Sequence, residues 1–225
     1  NRPIARSPNH PSFTPLVRPA VRSRIQQEND WRSEIAREHA GLQRLGPIQV
    51  VPACPNAAGE ADPQHRLYAK LQGPPAFWLH IPDLLVHVRE INWHLRNQDI
   101  GLEKRLRELT TLVAARENDC QYEWSAHEPY AVNAGLDADV IDVVKHRKPL
   151  AGVPEKEGAI IRFGREVLRD KKASPETYAR AVRALGERGV VHMIALLSNY
   201  TMTAVIFNSI DQQLRPGQAP LLPLP

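Results

Sequence analysis

Between Glu103 and Gly135 the chain reads EKRLRELTTLVAARENDCQYEWSAHEPYAVNAG, and reactive side chains recur there at helical intervals. Cys120, Glu123 and His127 are separated by three and four residues. On an α-helix those offsets place all three on one face. Ahead of them Leu106, Leu109, Leu112 and Val113 form an apolar stripe of the same period, which predicts a preceding helix. Glu108 borders that stripe, twelve residues before Cys120, so it can point partly inward. A break near Glu117–Asp119 turns the two helices into a hairpin that can bring Glu108 towards Glu123 and His127.

The same period governs most of the remaining chain. Pro82 opens a helix with Leu84, Leu85, Val88, Ile91 and Leu95 on its apolar side, and Asp137 caps a short helix. Ala159–Asp170 is amphipathic. Ser174 begins another helix that ends near Gly186, and an apolar helix runs from about Val190 to Gln212. Asp62-Pro63 starts a helix that stops before Gly73-Pro74-Pro75. No strand alternation appears, so the expected fold class is all-α: a compact helical domain over residues 62–212. Residues 1–24 hold five prolines, five arginines and no acids, and are expected to form an extended basic arm. An amphipathic helix over 25–45 and a Pro/Ala/Gly linker around Cys54 complete an N-terminal region of residues 1–61, and residues 213–225 form a Pro-rich, extended tail.

Charge and cysteine usage narrow the function. The net charge is +4 and the pI about 9.2, yet the basic residues form no stripe interleaved with aromatics, so no nucleic-acid partner is expected. Two cysteines do not make a disulfide framework. No uninterrupted run of 18 apolar residues exists. Val190–Ile210 contains His192, Ser198, Asn199 and Asn208, and is expected to be a core or subunit-interface helix rather than a membrane span. The expectation is a cytoplasmic protein without a membrane partner. His80, His87 and His94 are spaced by seven, a rise of about 10.5 Å on a helix, too far apart to share one metal ion.

Glu108, Cys120, Glu123 and His127 spell E-x11-C-x2-E-x3-H, followed by a helix ending at Gly135. This pattern resembles the carboxymuconolactone decarboxylase/alkylhydroperoxidase D-like superfamily, whose peroxidase branch carries E-x11-C-x2-C-x3-H. Glu108, Cys120 and His127 match that branch one by one, and Glu123 stands where its second cysteine would be. The resemblance extends more loosely over residues 62–211. It includes GVVHMIALLSNYTMTAVIFNSI, with Tyr200, Met202 and Asn208 placed as in many relatives. It implies a homotrimer or hexamer acting on a small-molecule substrate, with no metal or organic cofactor required.

Two chemistries fit these residues. A dithiol peroxidase needs one thiolate to attack the peroxide and a second thiol to resolve the sulfenic acid. Cys120 has no local partner, and Cys54 can serve only if the N-terminal arm folds over the site. A helix N-terminus lowers a thiol pKa, which leaves single-cysteine reactivity open beside the reading of Cys120 as a small half-buried residue. Two carboxylates close together cannot both ionise cheaply, and an imidazole beside them can share the proton. Such a cluster suits taking a proton from carbon and returning it elsewhere. The decarboxylase branch implies chemistry of this kind, with His127 as general acid/base, Glu108 its partner and Glu123 the second carboxylate. Tyr200 and Asn208 are candidate substrate-binding residues, and Tyr122 and Tyr130 candidate pocket walls. Trp124 lies one step off the Glu123 face and is expected to pack against a neighbouring helix. The alternatives are a thiol-dependent, peroxiredoxin-type hydroperoxide reductase using Cys120 and a non-catalytic oligomeric binding protein. Glu123 and His127 as a buried pair that only orients helices, and zinc or iron held by Glu108, Glu123 and His127, are further readings.

Overall fold

A computed structural model describes residues 73–78, 81–98, 101–215 and 217–224. The arm, the linker with Cys54, the 62–72 helix, the 61/62 boundary and His80 lie outside the described residues. Within them the elements are α1 (Pro74–Trp78), α2 (Pro82–Asn97), α3 (Lys104–Glu117), α4 (Gln121–Asn133), α5 (Ala138–Lys145), α6 (Glu155–Arg165), a π-helical turn (Glu166–Asp170) and α7 (Pro175–Ser209). The fold is all-α, and no strand occurs among the described residues.

Local signals set most helix ends. The Asp137 side chain accepts a hydrogen bond from the Asp139 amide at 2.8 Å, and Ser174 Oγ accepts one from the Thr177 amide at 3.1 Å. Pro74-Pro75, expected to be a plain break, instead starts the one-turn α1, since proline suits a first turn. The amphipathic 159–170 segment starts earlier, at Glu155, and its last five residues widen into the π turn. Gly186, at φ 72° and ψ 164°, kinks α7 where a helix end was expected, a conformation that glycine adopts without a Cβ penalty.

Helix α3 is central. Leu109, Leu112, Val113, Ala114 and Ala115 are fully buried, and α3 packs against α4, α6 and α7. Gly164 lets α6 approach closely, because a Cβ there would lie 2.4 Å from Val113 Cγ1. At the end of α3 the buried Glu117 carboxylate accepts from Arg169 Nη2 at 2.8 Å and lies near Arg147 and Arg165, which ties α3 to the C-terminal ends of α5 and α6. Buried His192 on α7 ties down α2: its Nδ1 accepts from the Leu102 amide at 3.3 Å, so Nε2 carries the hydrogen and donates to the Leu95 carbonyl at 2.9 Å.

The tail is extended, as expected, and it is also docked. Pro129 sits inside α4 and has no N–H, so the Ser125 carbonyl one turn earlier lacks its helical donor. Gln218 Nε2 lies 3.4 Å from that carbonyl, and the Leu221 amide donates to Ser125 Oγ at 3.3 Å. In the orientation that satisfies both ends of its amide, Gln121 donates to the Leu222 carbonyl at 2.7 Å and accepts from the Leu221 amide at 2.8 Å. Arg116 Nη1 donates to the Pro223 carbonyl at 3.1 Å, and Leu222 enters the main core.

Helix α7 is long and apolar enough to cross a membrane by length and composition alone, a test that a buried core helix also passes. Most of its apolar stretch is buried, however, and Met193, Leu196, Leu197 and Tyr200 belong to the core.

Candidate active site

Helices α3 and α4 meet at a turn made by Asn118 and Asp119, the latter at φ 48°, a left-handed conformation that aspartate tolerates. Asn118 donates through Nδ2 to the Ala114 carbonyl at 2.8 Å, which closes the end of α3. This turn sets the register of the hairpin and brings the site together. His127 Nδ1 lies 2.8 Å from Glu108 Oε2, and its Nε2 lies 3.5 Å from Glu123 Oε2. All three side chains are buried. The first distance is a hydrogen bond that orients the ring. The second is longer than a tight one, so Nε2 is the less committed nitrogen.

Three further side chains complete the cluster. Arg96, in the last turn of α2, places Nη2 3.8 Å from Glu108 Oε1. Its guanidinium stands over the Tyr130 ring, 5.7 Å from the centroid. Tyr130 and Tyr200 meet the imidazole edge-on, with centroids 5.8 and 5.0 Å away. Burial raises the pKa of Tyr200, so the phenol is held as a neutral hydroxyl with Thr111 as its hydrogen-bonding neighbour.

Burial also raises the pKa of Glu123. His127 and Arg96 pull it back down, and Glu108 pushes it further up. The direction follows from taking a carboxylate out of water beside another carboxylate. Burial thus works against the charged form of Glu123, beside an imidazole oriented by Glu108.

Cys120 departs from expectation. It caps the N-terminus of α4 but is buried, not half-buried, among Ala204, Ile206 and Phe207, with Phe77, Trp78 and Tyr122 packed around it. Burial pushes its thiol up to about 12, outweighing the backbone hydrogen bonds from Glu123 and Tyr122 that favour the thiolate. A lowered pKa, as a helix N-terminus alone would give, is not found. Cys120 is a free thiol.

The other sequence candidates divide. Tyr200 joins the cluster. Asn208 does not contact His127: it is exposed and donates through Nδ2 to the Asn118 carbonyl at 2.8 Å, bracing the α3–α4 turn. Tyr122 packs on Phe207, with ring centroids 4.6 Å apart. Trp124 is fully buried in the main core. His87 is exposed, near Glu90 on its own helix. No group of three or more His, Cys, Asp or Glu side chains among the described residues is arranged to hold a metal ion. The two imidazole nitrogens face different carboxylates, so Glu108, His127 and Glu123 do not converge on one point. Arg96 was missed in the sequence reading, since an arginine in the last turn of a helix is an ordinary complement to the helix dipole.

The all-α architecture that carries this imidazole between two carboxylates is of the alkylhydroperoxidase D-like type in its fold. The profile of the carboxymuconolactone decarboxylase family matches residues 82–165, which span α2 to α6. Three solved structures are similar. One is the alkylhydroperoxidase AhpD core of an uncharacterized peroxidase-related protein from Ralstonia eutropha JMP134, with 18% identity, a TM-score of 0.55, and coverage of 64% of this chain and 80% of that one. The second is a protein of unknown function from Agrobacterium tumefaciens, described as a candidate antioxidant defence protein AhpD, with 16% identity, a TM-score of 0.55, and coverage of 68% and 100%. The third is the debrominase Bmp8 in complex with 2,3,4-tribromopyrrole, with 14% identity, a TM-score of 0.55, and coverage of 75% and 92%. At these identities the likeness is one of fold. No curated protein matches the chain.

Proposed function

We propose that the protein is a cofactor-independent enzyme that moves a proton to or from carbon on a small organic acid or lactone, in lyase-type chemistry. The observation that carries this reading is the imidazole of His127 between Glu108 at 2.8 Å and Glu123 at 3.5 Å. Glu108 fixes the ring through Nδ1. Nε2 then faces the substrate with Glu123 beside it as a second proton carrier. For a carboxylated lactone, the bond to the carboxylate carbon breaks and carbon dioxide leaves. The electron pair is delocalised into a dienolate, and Nε2–H or Glu123 delivers one proton to carbon. The net reaction takes up one proton from solvent, which the cluster relays. A thiol-dependent hydroperoxide reductase needs a thiolate, which the burial of Cys120 opposes.

The test is a screen of the purified full chain against carboxylated lactones and organic hydroperoxides. The expected result is carbon dioxide release with proton uptake and no change in thiol titre. Hydroperoxide consumption that oxidises Cys120 would overturn the reading and establish the thiol alternative.

The protein is further proposed to act as a homo-oligomer with threefold symmetry. Helix α7 leaves an apolar stripe uncovered, with Val191 67% and Val205 55% exposed and Ile194 and Met202 on the same side. An exposed apolar stripe of this kind, interrupted by Ser198, favours burial against a second copy. Light scattering at micromolar concentration, an ordinary range for specific association, is expected to give a multiple of the 25.3 kDa chain mass. A monomeric mass there would exclude the assembly.

A further inference from the structure

We infer that Arg96 and Tyr130 form a carboxylate-binding subsite at the mouth of the His127 cluster. The inference deepens the proton-transfer reading by naming how its substrate is held, and it rests on that reading for the chemistry after binding.

Around His127, the side chains of Glu108, Glu123 and Tyr200 are buried. The Arg96 side chain is 36% exposed and Tyr130 is 51% exposed. These two form the rim by which a solute reaches the imidazole. A guanidinium has five N–H donors. The Arg96 Nη2 lies 3.8 Å from Glu108 Oε1, beyond hydrogen-bond length. No other hydrogen bond from it occurs among the described residues. Three arginines elsewhere spend their donors on the fold. Arg107 donates to the carbonyls of Gln98 and Leu102, Arg165 to those of Val143 and Lys148, and Arg169 to Glu117. Among the described residues Arg96 is a cation held beside a carboxylate without a hydrogen bond to it.

Its orientation suits a carboxylate. The Tyr130 ring lies against one face of the guanidinium at 5.7 Å, a cation–π contact that steadies its plane and leaves the donor edges open. A carboxylate accepts two parallel bonds from such an edge. The backbone beneath is fixed as well, since the neighbouring Leu95 carbonyl is hydrogen-bonded by His192. Arg96 and His127 lie against the two oxygens of the same Glu108 carboxylate. Arg96 also acts electrostatically on Glu123, which lies beside Nε2, so a small acid anchored on Arg96 is held close to the cluster.

The test is direct binding to the full chain, by calorimetry or NMR titration, with benzoate and benzamide as probes of nearly equal shape. Benzoate is expected to bind roughly tenfold or more tightly than benzamide, the margin of a charge-assisted pair over a neutral one. Arg96→Gln is expected to remove that margin and leave benzamide binding unchanged. Arg96→Lys, which keeps the charge without the fork, should fall between. Benzoate binding undiminished in Arg96→Gln, or neither probe binding at millimolar concentration, would overturn the subsite. If Arg96→Gln fails to fold by circular dichroism, unchanged benzoate affinity in Arg96→Lys would do the same. His127→Ala separates the two proposals. If it abolishes turnover while Arg96 variants bind benzoate as wild type, proton transfer stands and the subsite fails. If it leaves turnover intact while Arg96→Gln loses benzoate, the subsite stands and proton transfer fails.

Discussion

His127→Ala and Glu108→Gln are each expected to lower turnover by roughly 10²–10⁴-fold, the usual contribution of a positioned acid/base group. The first variant removes the proton carrier. The second keeps the size of the side chain but removes the charge that orients Nδ1 across 2.8 Å. Cys120→Ser is expected to be nearly silent, because the thiol is buried among apolar side chains and the reaction uses no sulfur nucleophile. The three variants are compared on one substrate from the screen, with kcat and KM determined separately. The ranking reverses if the thiol carries the chemistry: Cys120→Ser then becomes the inactive variant, and His127→Ala is merely slow, since a thiolate can form without its base. Full loss of turnover with Cys120→Ser would therefore end the proton-transfer reading.

The largest expected loss of stability is at Trp124, at about 3–5 kcal/mol for Trp124→Ala. The indole is fully buried on α4, and its Nε1 donates to Glu128 at 2.6 Å. Lys145 Nζ donates to the same carboxylate at 2.7 Å and lies 5.7 Å from the indole centroid, which ties α5 to α4. Alanine leaves a cavity beneath this pair. Urea unfolding is expected to show a lower midpoint with an unchanged slope. Trp124→Phe should lose less, because it keeps most of the ring while giving up the hydrogen bond. A loss below about 1 kcal/mol for Trp124→Ala would be too small for a side chain packed in this way.

The hairpin was legible in the sequence because its signals are local. The offsets between Cys120, Glu123 and His127 fix one helical face, and the stripe at Leu106, Leu109 and Leu112 fixes the other helix. Glu108 meets His127 across only nineteen residues of chain. What was not legible depends on packing between distant segments. Arg96 reaches Glu108 only once α2 is held by His192, and nothing in the spacing of α2 announces that contact. Cys120 has the local setting of an activated thiol. Its pKa is governed instead by Phe207 and its neighbours, which arrive from α7 and exclude water. Asn208 lies in an apolar run that reads as site-lining, yet the length of α7 carries it past the cluster to the turn at Asn118. Gly186 and Asp137 did reveal themselves, since a backbone break and a cap are properties of a few adjacent residues.

The docked tail has a consequence for how the molecule comes into being. Its contacts with α4 join residues more than ninety positions apart, as between Ser125 and Leu221. At ordinary ribosomal speeds that separation is roughly 5–20 s of synthesis. Throughout that interval the hairpin bearing Glu108 and His127 exists without its clasp, and the slot for Leu222 is open. The carbonyl left bare by Pro129 is meanwhile met by water. The clasp is thus made of chain synthesised long after the hairpin that it closes.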